Sequence, residues 1–129
     1  MREINEIIVH CSDTPAGRHT TVEEIRDWHL ARGWSDIGYH FVVYLDGTVH
    51  EGRPVEITGS HCKGHNKNSI GICYIGGGKG IDTRTKEQKD ALVAMLHYLK
   101  TTSPKAIIYG HRDFSTKSCP RFDATAEYE

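Results

Sequence analysis

The sequence predicts an α/β fold: a single domain with a mixed central β-sheet flanked by helices. The chain has 129 residues, which is close to the commonest size of one domain and enough to bury a core without covalent cross-links. Segments with strand and helix patterns alternate along it, and no repeat or low-complexity linker divides residues 1–129. One sheet with helices packed on it is the economical way to bury such elements. The order of the strands does not follow from the pattern.

A buried strand and a short helix are predicted near the start of the chain. Residues 4–9 are mostly apolar, and this short run is typical of a buried strand. Thr20 or Thr21, each with a glutamate three residues later, offers a capping box for the helix. Apolar residues at helical spacing follow as far as Trp28, and Gly33 supplies a stop signal.

A hairpin and a further strand are predicted in the middle of the chain. Residues 39–45 are rich in aromatic and β-branched side chains, Asp46 and Gly47 are typical of a two-residue turn, and residues 48–50 continue beyond it. Residues 70–75 predict another strand. The glycine-rich run that follows lacks the spacing of a phosphate-binding loop, so we interpret it as a flexible loop.

The second half predicts a longer helix and a last strand. Thr85 with Gln88 makes a capping box, and apolar residues at helical spacing form one stripe as far as about Lys100. Pro104 lies just beyond the end of this helix. Residues 106–109 then form an apolar strand. The C-terminal tail shows little periodicity and is predicted to be a loop.

Charge and hydrophobicity exclude several classes of protein. Lys and Arg number 16 against 17 Asp and Glu, so the surplus of positive charge that a sequence-independent nucleic-acid binder needs is absent. Hydrophobic residues make up 37% of the chain, as in a folded domain. The N-terminal segment is charged and has only a four-residue apolar run, unlike a signal peptide or a membrane span. We expect a monomer that is synthesised in the cytoplasm, without nucleic-acid or membrane partners.

The four cysteines, Cys11, Cys62, Cys73 and Cys119, lie far apart in the sequence and form no CxxC pair. A disulfide framework is typical of exported chains, and no export signal is present. We therefore interpret them as buried, reduced thiols.

Two of the nine histidines stand at positions where chemistry is expected. His10 and His111 each follow an apolar strand, which holds a side chain rigidly at the edge of a sheet. If the two strands are neighbours and share direction, both imidazoles meet at one rim. Cys119 comes after seven intervening residues, enough for a loop to return its thiolate to that rim. Two imidazoles and one thiolate suit Zn²⁺ with one open position, whereas Mg²⁺ and Ca²⁺ prefer oxygen ligands.

Two further side chains are candidates for assisting amide hydrolysis at such a site. Lys117, two residues before Cys119, would bring a cation to the tetrahedral oxyanion. Tyr39 opens the hairpin strand, and its hydroxyl would donate to the oxyanion or assist the attacking water. A solvated loop lysine and a tyrosine packed on the sheet are the alternative interpretations.

Several short motifs occur together, and in this order, in one protein family. They are IVHCS at 8–12, EIRDWH at 24–29, GYHF at 38–41, DGTV at 46–49, GSH at 59–61, NSIGIC at 68–73, GHRD at 110–113 and KSCP at 117–120. On these motifs the sequence resembles the zinc-dependent N-acetylmuramoyl-L-alanine amidases related to peptidoglycan recognition proteins. It is most similar to the short bacteriophage amidases historically called lysozymes, from about residue 7 to residue 123.

The resemblance implies hydrolysis of the amide between N-acetylmuramic acid and L-alanine in bacterial cell walls. It also implies the mixed sheet flanked by helices, peptidoglycan or muropeptide as the partner, and Zn²⁺ as the cofactor. The positions that match the family's functional residues are His10, His111 and Cys119 as zinc ligands, Tyr39 and Lys117 as catalytic residues, and His61 in the segment bordering the substrate groove, where it is expected to touch glycan or peptide.

The sequence departs from part of the family pattern. Some relatives carry a glutamate on the strand of Tyr39 as general base, and this sequence has no acidic residue there. The identity of the base stays open, with direct attack by zinc-activated water as the simplest account. Cys11 and Cys62 have no assigned role.

Two questions of function also stay open at this stage. A non-catalytic peptidoglycan-binding module is the alternative to an enzyme, and the presence of Cys119 favours the enzyme because binding-only relatives commonly lose this ligand. Three settings would let a protein made in the cytoplasm meet cell-wall substrate: release through a phage lysis system, specialised secretion, or recycling of imported fragments. The likeness to phage enzymes favours lysis.

Overall fold

The computed structural model describes residues 2–129, which form one five-stranded sheet with helices packed on it. The strands are β1 (Glu6–Cys11), β2 (Phe41–Val43), β3 (Val49–Glu51), β4 (Ser69–Tyr74) and β5 (Ile107–Gly110). The helices are α1 (Val22–Ala31), α2 (Lys86–Thr102) and α3 (Ala124–Tyr128), and short 3-10 turns occupy Gly78–Gly80 and His111–Asp113. No helix of the described residues is both long and apolar enough to cross a membrane.

The strand order is β3-β2-β4-β1-β5, and the sheet is mixed, as predicted. β1 runs parallel to β4 and β5, β4 runs parallel to β2, and β3 pairs antiparallel with β2 across the hairpin. In β1, Ile7, Ile8 and Val9 are fully buried. A parallel strand covered on both faces has a continuous apolar run rather than an alternating one, which is the pattern that the sequence shows.

Helix α1 covers one face of the sheet, and its N-terminus is capped as the sequence predicts. The Thr21 hydroxyl accepts the backbone N–H of Glu24, whose carboxylate accepts the Thr21 N–H in return. Trp28, at the end of the predicted helical pattern, lies on α1 and is 40% exposed, whereas His29 is buried one residue further on. The Trp28 indole borders a groove.

Helix α2 covers the opposite face and packs into the larger of the two core clusters. The capping box of Thr85 and Gln88 is present, and Leu92, Leu96 and Leu99 are buried against the strands, as predicted. The buried Gln88 side-chain amide donates to two backbone carbonyls, that of Ile75 at 2.9 Å and that of Val43 at 3.3 Å. The helix is thus tied to the sheet by hydrogen bonds as well as by apolar packing.

The C-terminal tail is not only a loop, so that prediction is wrong for its last residues. Asp123 caps the short helix α3 by accepting the backbone N–H of Ala126. The Arg84 guanidinium packs 3.4 Å from the centre of the Phe122 ring and pairs with Glu127 at 2.7 Å. A helix of five residues is too short to leave a periodic signal, and its contacts lie about 40 residues away in sequence.

Candidate functional site

The two candidate histidines meet at one edge of the sheet because their strands are parallel neighbours. Val9 of β1 pairs with Gly110 of β5, so the next residues, His10 and His111, lie side by side. Their ring centroids are 4.6 Å apart. β1 extends through Cys11, two residues beyond the predicted end, so His10 belongs to the strand itself. His111 begins the 3-10 turn that follows β5.

A returning loop carries Cys119 to the same edge, and three hydrogen bonds hold it there. The Tyr74 hydroxyl donates to the Pro120 carbonyl at 2.7 Å, and the Arg112 N–H donates to the Cys119 carbonyl at 2.6 Å. The sulfur itself accepts the backbone N–H of Cys11 at 3.1 Å. A backbone donor aimed at sulfur stabilises the thiolate, which is the form that binds metals.

His10, His111 and Cys119 each offer one ligand atom, and these atoms lie within 4.8 Å of one another. His10 and Cys119 are buried, and His111 is partly exposed on the groove side. Two nitrogens and one sulfur with access from one side are the donor set of an open zinc site. The three residues therefore fit a zinc ion.

The surroundings keep both imidazoles neutral, as metal ligation requires. Burial, with the neighbouring rings of His61 and His111, holds the pKa of His10 well below its usual range. Burial also lowers the pKa of His111, and the nearby Lys117 ammonium adds to this shift. Each neutral ring can carry its proton on one nitrogen and use the other as a donor atom toward a metal.

Cys11 and Cys119 are close neighbours: the Cys11 N–H donates to the Cys119 sulfur at 3.1 Å, and that sulfur lies 3.9 Å from the Cys11 carbonyl oxygen. The Cys119 side chain lowers the pKa of Cys11 to about 7, whereas Cys11 and burial raise the pKa of Cys119. The four cysteines are all buried and free of disulfides, as predicted.

Tyr39 and Lys117 line the same pocket as His111 and Cys119. The Tyr39 ring lies 5.1 Å from the His10 ring. Burial raises the pKa of the Tyr39 hydroxyl well above its usual value, and the nearby Cys73 and Cys119 sulfurs raise it further. The phenol therefore stays protonated near neutral pH and has an O–H to donate in a hydrogen bond. Lys117 is exposed at the mouth.

An open groove of about 780 Å³ runs over this edge. Besides the candidate residues it exposes aromatic and basic side chains that the sequence patterns did not single out, namely Trp28, Arg32, Trp34, Lys63 and Arg121. They come from separate loops and from α1, so no sequence spacing connects them. Asp13 is the one carboxylic acid in the lining, and it pairs with Arg121 at 3.0 Å.

His61 borders the groove but points back into the protein. It is 8% exposed, its Nδ1 lies 2.9 Å from Nε2 of His10, and its Nε2 lies 3.1 Å from the Ser69 hydroxyl. Burial lowers the pKa of His61 to about 3, so the ring is neutral. Its contact with glycan or peptide stays a prediction.

Two other histidines, His29 and His40, accept backbone N–H groups near the groove, and the sequence patterns gave them no role. Nδ1 of His29 accepts the Gly38 N–H at 2.9 Å, and Nδ1 of His40 accepts the Gly71 N–H at 3.1 Å. Burial lowers the pKa of each ring to about 4. Their backbone partners are known only once the chain is folded.

The sequence profile of the family described as N-acetylmuramoyl-L-alanine amidase matches residues 1–122. The endolysin of Enterobacteria phage K11 is 45% identical over 129 residues, covering 95% of this chain and 83% of the phage protein. The endolysin of Escherichia phage T7 is 42% identical over 127 residues, covering 95% and 84%.

Two solved structures have the same fold. The N-acetylmuramoyl-L-alanine amidase LysC from Clostridium intestinale superimposes with a TM-score of 0.86 at 31% identity, over 98% of this chain and 82% of LysC. A mutant of Drosophila PGRP-LB in complex with tracheal cytotoxin superimposes with a TM-score of 0.84 at 28% identity, over 98% and 80%. The likeness therefore extends over nearly the whole chain in both cases.

Proposed function

This chain belongs to the N-acetylmuramoyl-L-alanine amidase family, and we propose that it uses a zinc ion to hydrolyse the amide between N-acetylmuramic acid and L-alanine in peptidoglycan. That it is a peptidoglycan amidase follows from the family match over residues 1–122 and from phage endolysins 42–45% identical to it. The metal and the role of each side chain are the proposal.

The observation that carries the proposal is the convergence of His10, His111 and Cys119 at the end of parallel strands. Their ligand atoms lie within 4.8 Å of one another, and one side of the group opens to the groove. When bound there, zinc would supply Lewis-acid polarisation of the scissile carbonyl and a lowered pKa for water. The three side chains would hold it without a carboxylate ligand.

Tyr39 and Lys117 are proposed to stabilise the transition state. The protonated Tyr39 hydroxyl and the Lys117 ammonium both donate hydrogen bonds, and amide hydrolysis places negative charge on the former carbonyl oxygen. The leaving nitrogen also needs a proton, which the Lys117 ammonium can deliver. The only carboxylate in the groove lining is paired with Arg121, so a carboxylate general base is not part of the proposal.

The groove suits a substrate that combines sugars with a short peptide. Trp28 and Trp34 present aromatic faces, which pack against the apolar side of sugar rings and aliphatic side chains. Arg32 and Lys63 supply positive charge for peptide carboxylates. We propose that the muropeptide lies along this groove and that the exposed edge of His61 borders it.

The phage relatives favour action on the cell wall during lysis, and we propose this setting for the protein. Four further statements stay predictions: that residues 1–129 form a single catalytic domain, that the protein is a monomer, that it is synthesised in the cytoplasm, and that it has no nucleic-acid or membrane partners.

A non-catalytic muropeptide-binding module is the second candidate, since a structural neighbour is a recognition protein in complex with tracheal cytotoxin. A binding module needs the groove but no metal ligands. The buried Cys119, held by a backbone donor to its sulfur, favours the enzyme.

The test is an assay of purified cell walls with metal analysis of the protein. We expect about one zinc per chain, release of N-terminal L-alanine amines, and no new sugar reducing ends. A chelator should abolish the release, and added Zn²⁺ should restore it. Release of reducing ends would indicate a glycosidase, and wall binding without amine release by the zinc-loaded protein would favour the binding module.

A further inference from the structure

The His10 ring is held by a second histidine that lies behind it. Nε2 of His10 is 2.9 Å from Nδ1 of His61, and the two rings are perpendicular with centroids 4.9 Å apart. The other nitrogen of His61 is 3.1 Å from the Ser69 hydroxyl, which is fully buried on β4. His10, His61 and Ser69 therefore form a chain of hydrogen bonds that leads inward from the sheet edge.

Which group donates and which accepts in each of these hydrogen bonds follows from the one proton that each neutral imidazole carries. Nε2 of His10 is engaged with His61, so Nδ1 is the nitrogen left for a metal. A metal on Nδ1 requires the His10 proton to be on Nε2, which must then donate to Nδ1 of His61. His61 accepts there only if its own proton is on Nε2, which donates to Ser69. One tautomer is thus specified for each ring.

The slot that holds His61 is built by two glycines. A Cβ atom on Gly71 would lie 2.6 Å from Cγ of His61, and a Cβ atom on Gly59 would lie 2.9 Å from its Cδ2. Real Cβ atoms do not approach other atoms so closely. The backbone of β4 and of the loop before it therefore leaves just the space that the imidazole fills, which restricts its orientation.

We propose that His61 is a positioning residue for His10: Nδ1 of His61 accepts the Nε2–H of His10, which leaves Nδ1 of His10 for the metal, and the Nε2–H of His61 donates to the Ser69 hydroxyl. This inference rests on the proposed zinc site. A partner that fixes the orientation and tautomer of a metal-binding histidine typically strengthens metal affinity by 10- to 100-fold. In this role His61 acts through His10. The role is independent of the proposed contact between the exposed edge of His61 and the muropeptide.

Two substitutions of similar shape separate hydrogen bonding from packing. His61→Asn puts an amide oxygen where Nδ1 stands and keeps the acceptor, whereas His61→Leu puts a methyl group there. The zinc-stripped wild type and both variants are titrated with Co²⁺, whose visible spectrum depends on its ligands, and then with competing Zn²⁺. We expect His61→Leu to bind metal about 10- to 100-fold more weakly than the wild type. His61→Asn should recover most of this loss.

The outcomes distinguish this inference from the proposed function. If the wild type binds neither metal, the zinc site is wrong and the inference falls with it. If the wild type binds but His61→Leu binds equally well, or His61→Asn loses as much as His61→Leu, only the positioning role is overturned. A zinc-loaded wild type that does not cut cell walls would overturn the proposed reaction and leave the affinity result unaffected.

A measurement on the wild type alone keeps the inference testable if His61→Leu does not fold. In ¹⁵N NMR spectra of the zinc-loaded protein, the imidazole nitrogens of His10 and His61 report which nitrogen carries the proton. We expect a proton on Nε2 of both rings. A proton on Nδ1 of His61, or metal bound through Nε2 of His10, would overturn the assignment.

Discussion

His29 and His40 lie beneath the groove and accept backbone N–H groups at Nδ1, whereas His10 and His111 direct their rings toward a shared point at the edge of the sheet. All four rings have lowered pKa values, chiefly because they are buried or partly buried. Burial and pKa therefore do not separate the two kinds of histidine. The groups that face the rings do separate them. The rings of His29 and His40 accept backbone N–H groups, whereas those of His10 and His111 converge with each other and with Cys119.

This difference indicates what each region tolerates. His29 can be replaced by another neutral acceptor of the right length, because the one hydrogen bond of its ring is accepted from the Gly38 N–H. A member of the converging group cannot, because the number and type of donor atoms decide which metal binds. The following predictions test this contrast.

The largest effect is expected for Cys119→Ser. Replacing the only sulfur of the group should reduce bound zinc from about one per chain to nearly none, and amide hydrolysis should fall about a thousandfold or more. The fold should persist, as judged by circular dichroism. Cys62→Ser, the same chemical change outside the group, should retain its zinc. Full activity with bound zinc in Cys119→Ser would contradict the assignment.

Lys117→Ala should separate metal binding from turnover. We expect normal zinc content and a rate of amine release that falls by a hundredfold or more, because one donor to the oxyanion is lost. Lys89→Ala, on the exposed face of α2, is the matched control and should behave like the wild type. An unchanged rate in Lys117→Ala would remove this residue from the mechanism.

Tyr39→Phe removes one hydroxyl and keeps the ring that packs beside His10. Turnover should fall by about a hundredfold with zinc content unchanged, as expected for the loss of a single donor in the transition state. The measurement is the single-turnover rate on soluble muropeptide. If the variant instead loses its zinc, Tyr39 contributes to the architecture of the site and not to the reaction.

The smallest effect concerns stability, and it tests His29. Folding lowers the pKa of His29 from 6.5 to about 4, so the unfolded chain binds more protons between these values. The contribution of His29 to the free energy of unfolding should therefore be constant above pH 6.5 and should decrease as the pH falls from 6.5 toward 4. His29→Asn keeps an acceptor for Gly38 but does not titrate. Measured by urea unfolding in chelator, the wild type should lose about 2 kcal/mol relative to this variant between pH 7 and pH 5. Parallel pH profiles for the two proteins would contradict this account.

Some features of the site were predictable because they are local. Three signals can be recognised within a short window of sequence: the apolar run before His10, the apolar run before His111, and the seven residues between His111 and Cys119. The capping boxes of α1 and α2 are equally local, and the structure has both. The pattern placed Trp28 on α1 but said nothing of its surroundings, because a tryptophan at helical spacing looks the same in sequence whether it packs in a core or borders a groove.

Residue type and short-range periodicity are properties of the chain before it folds. They predict the alternation of strands and helices, the candidate metal ligands, and the chemistry that two imidazoles and a thiol can perform. Only the tertiary structure decided that β1 and β5 are parallel neighbours, that His61 stands 2.9 Å behind His10 across 51 residues of chain, and that His29 and His40 serve the backbone. Hydrogen bonds of this kind join groups brought together by strand order and loop closure, and a sequence window contains no record of either.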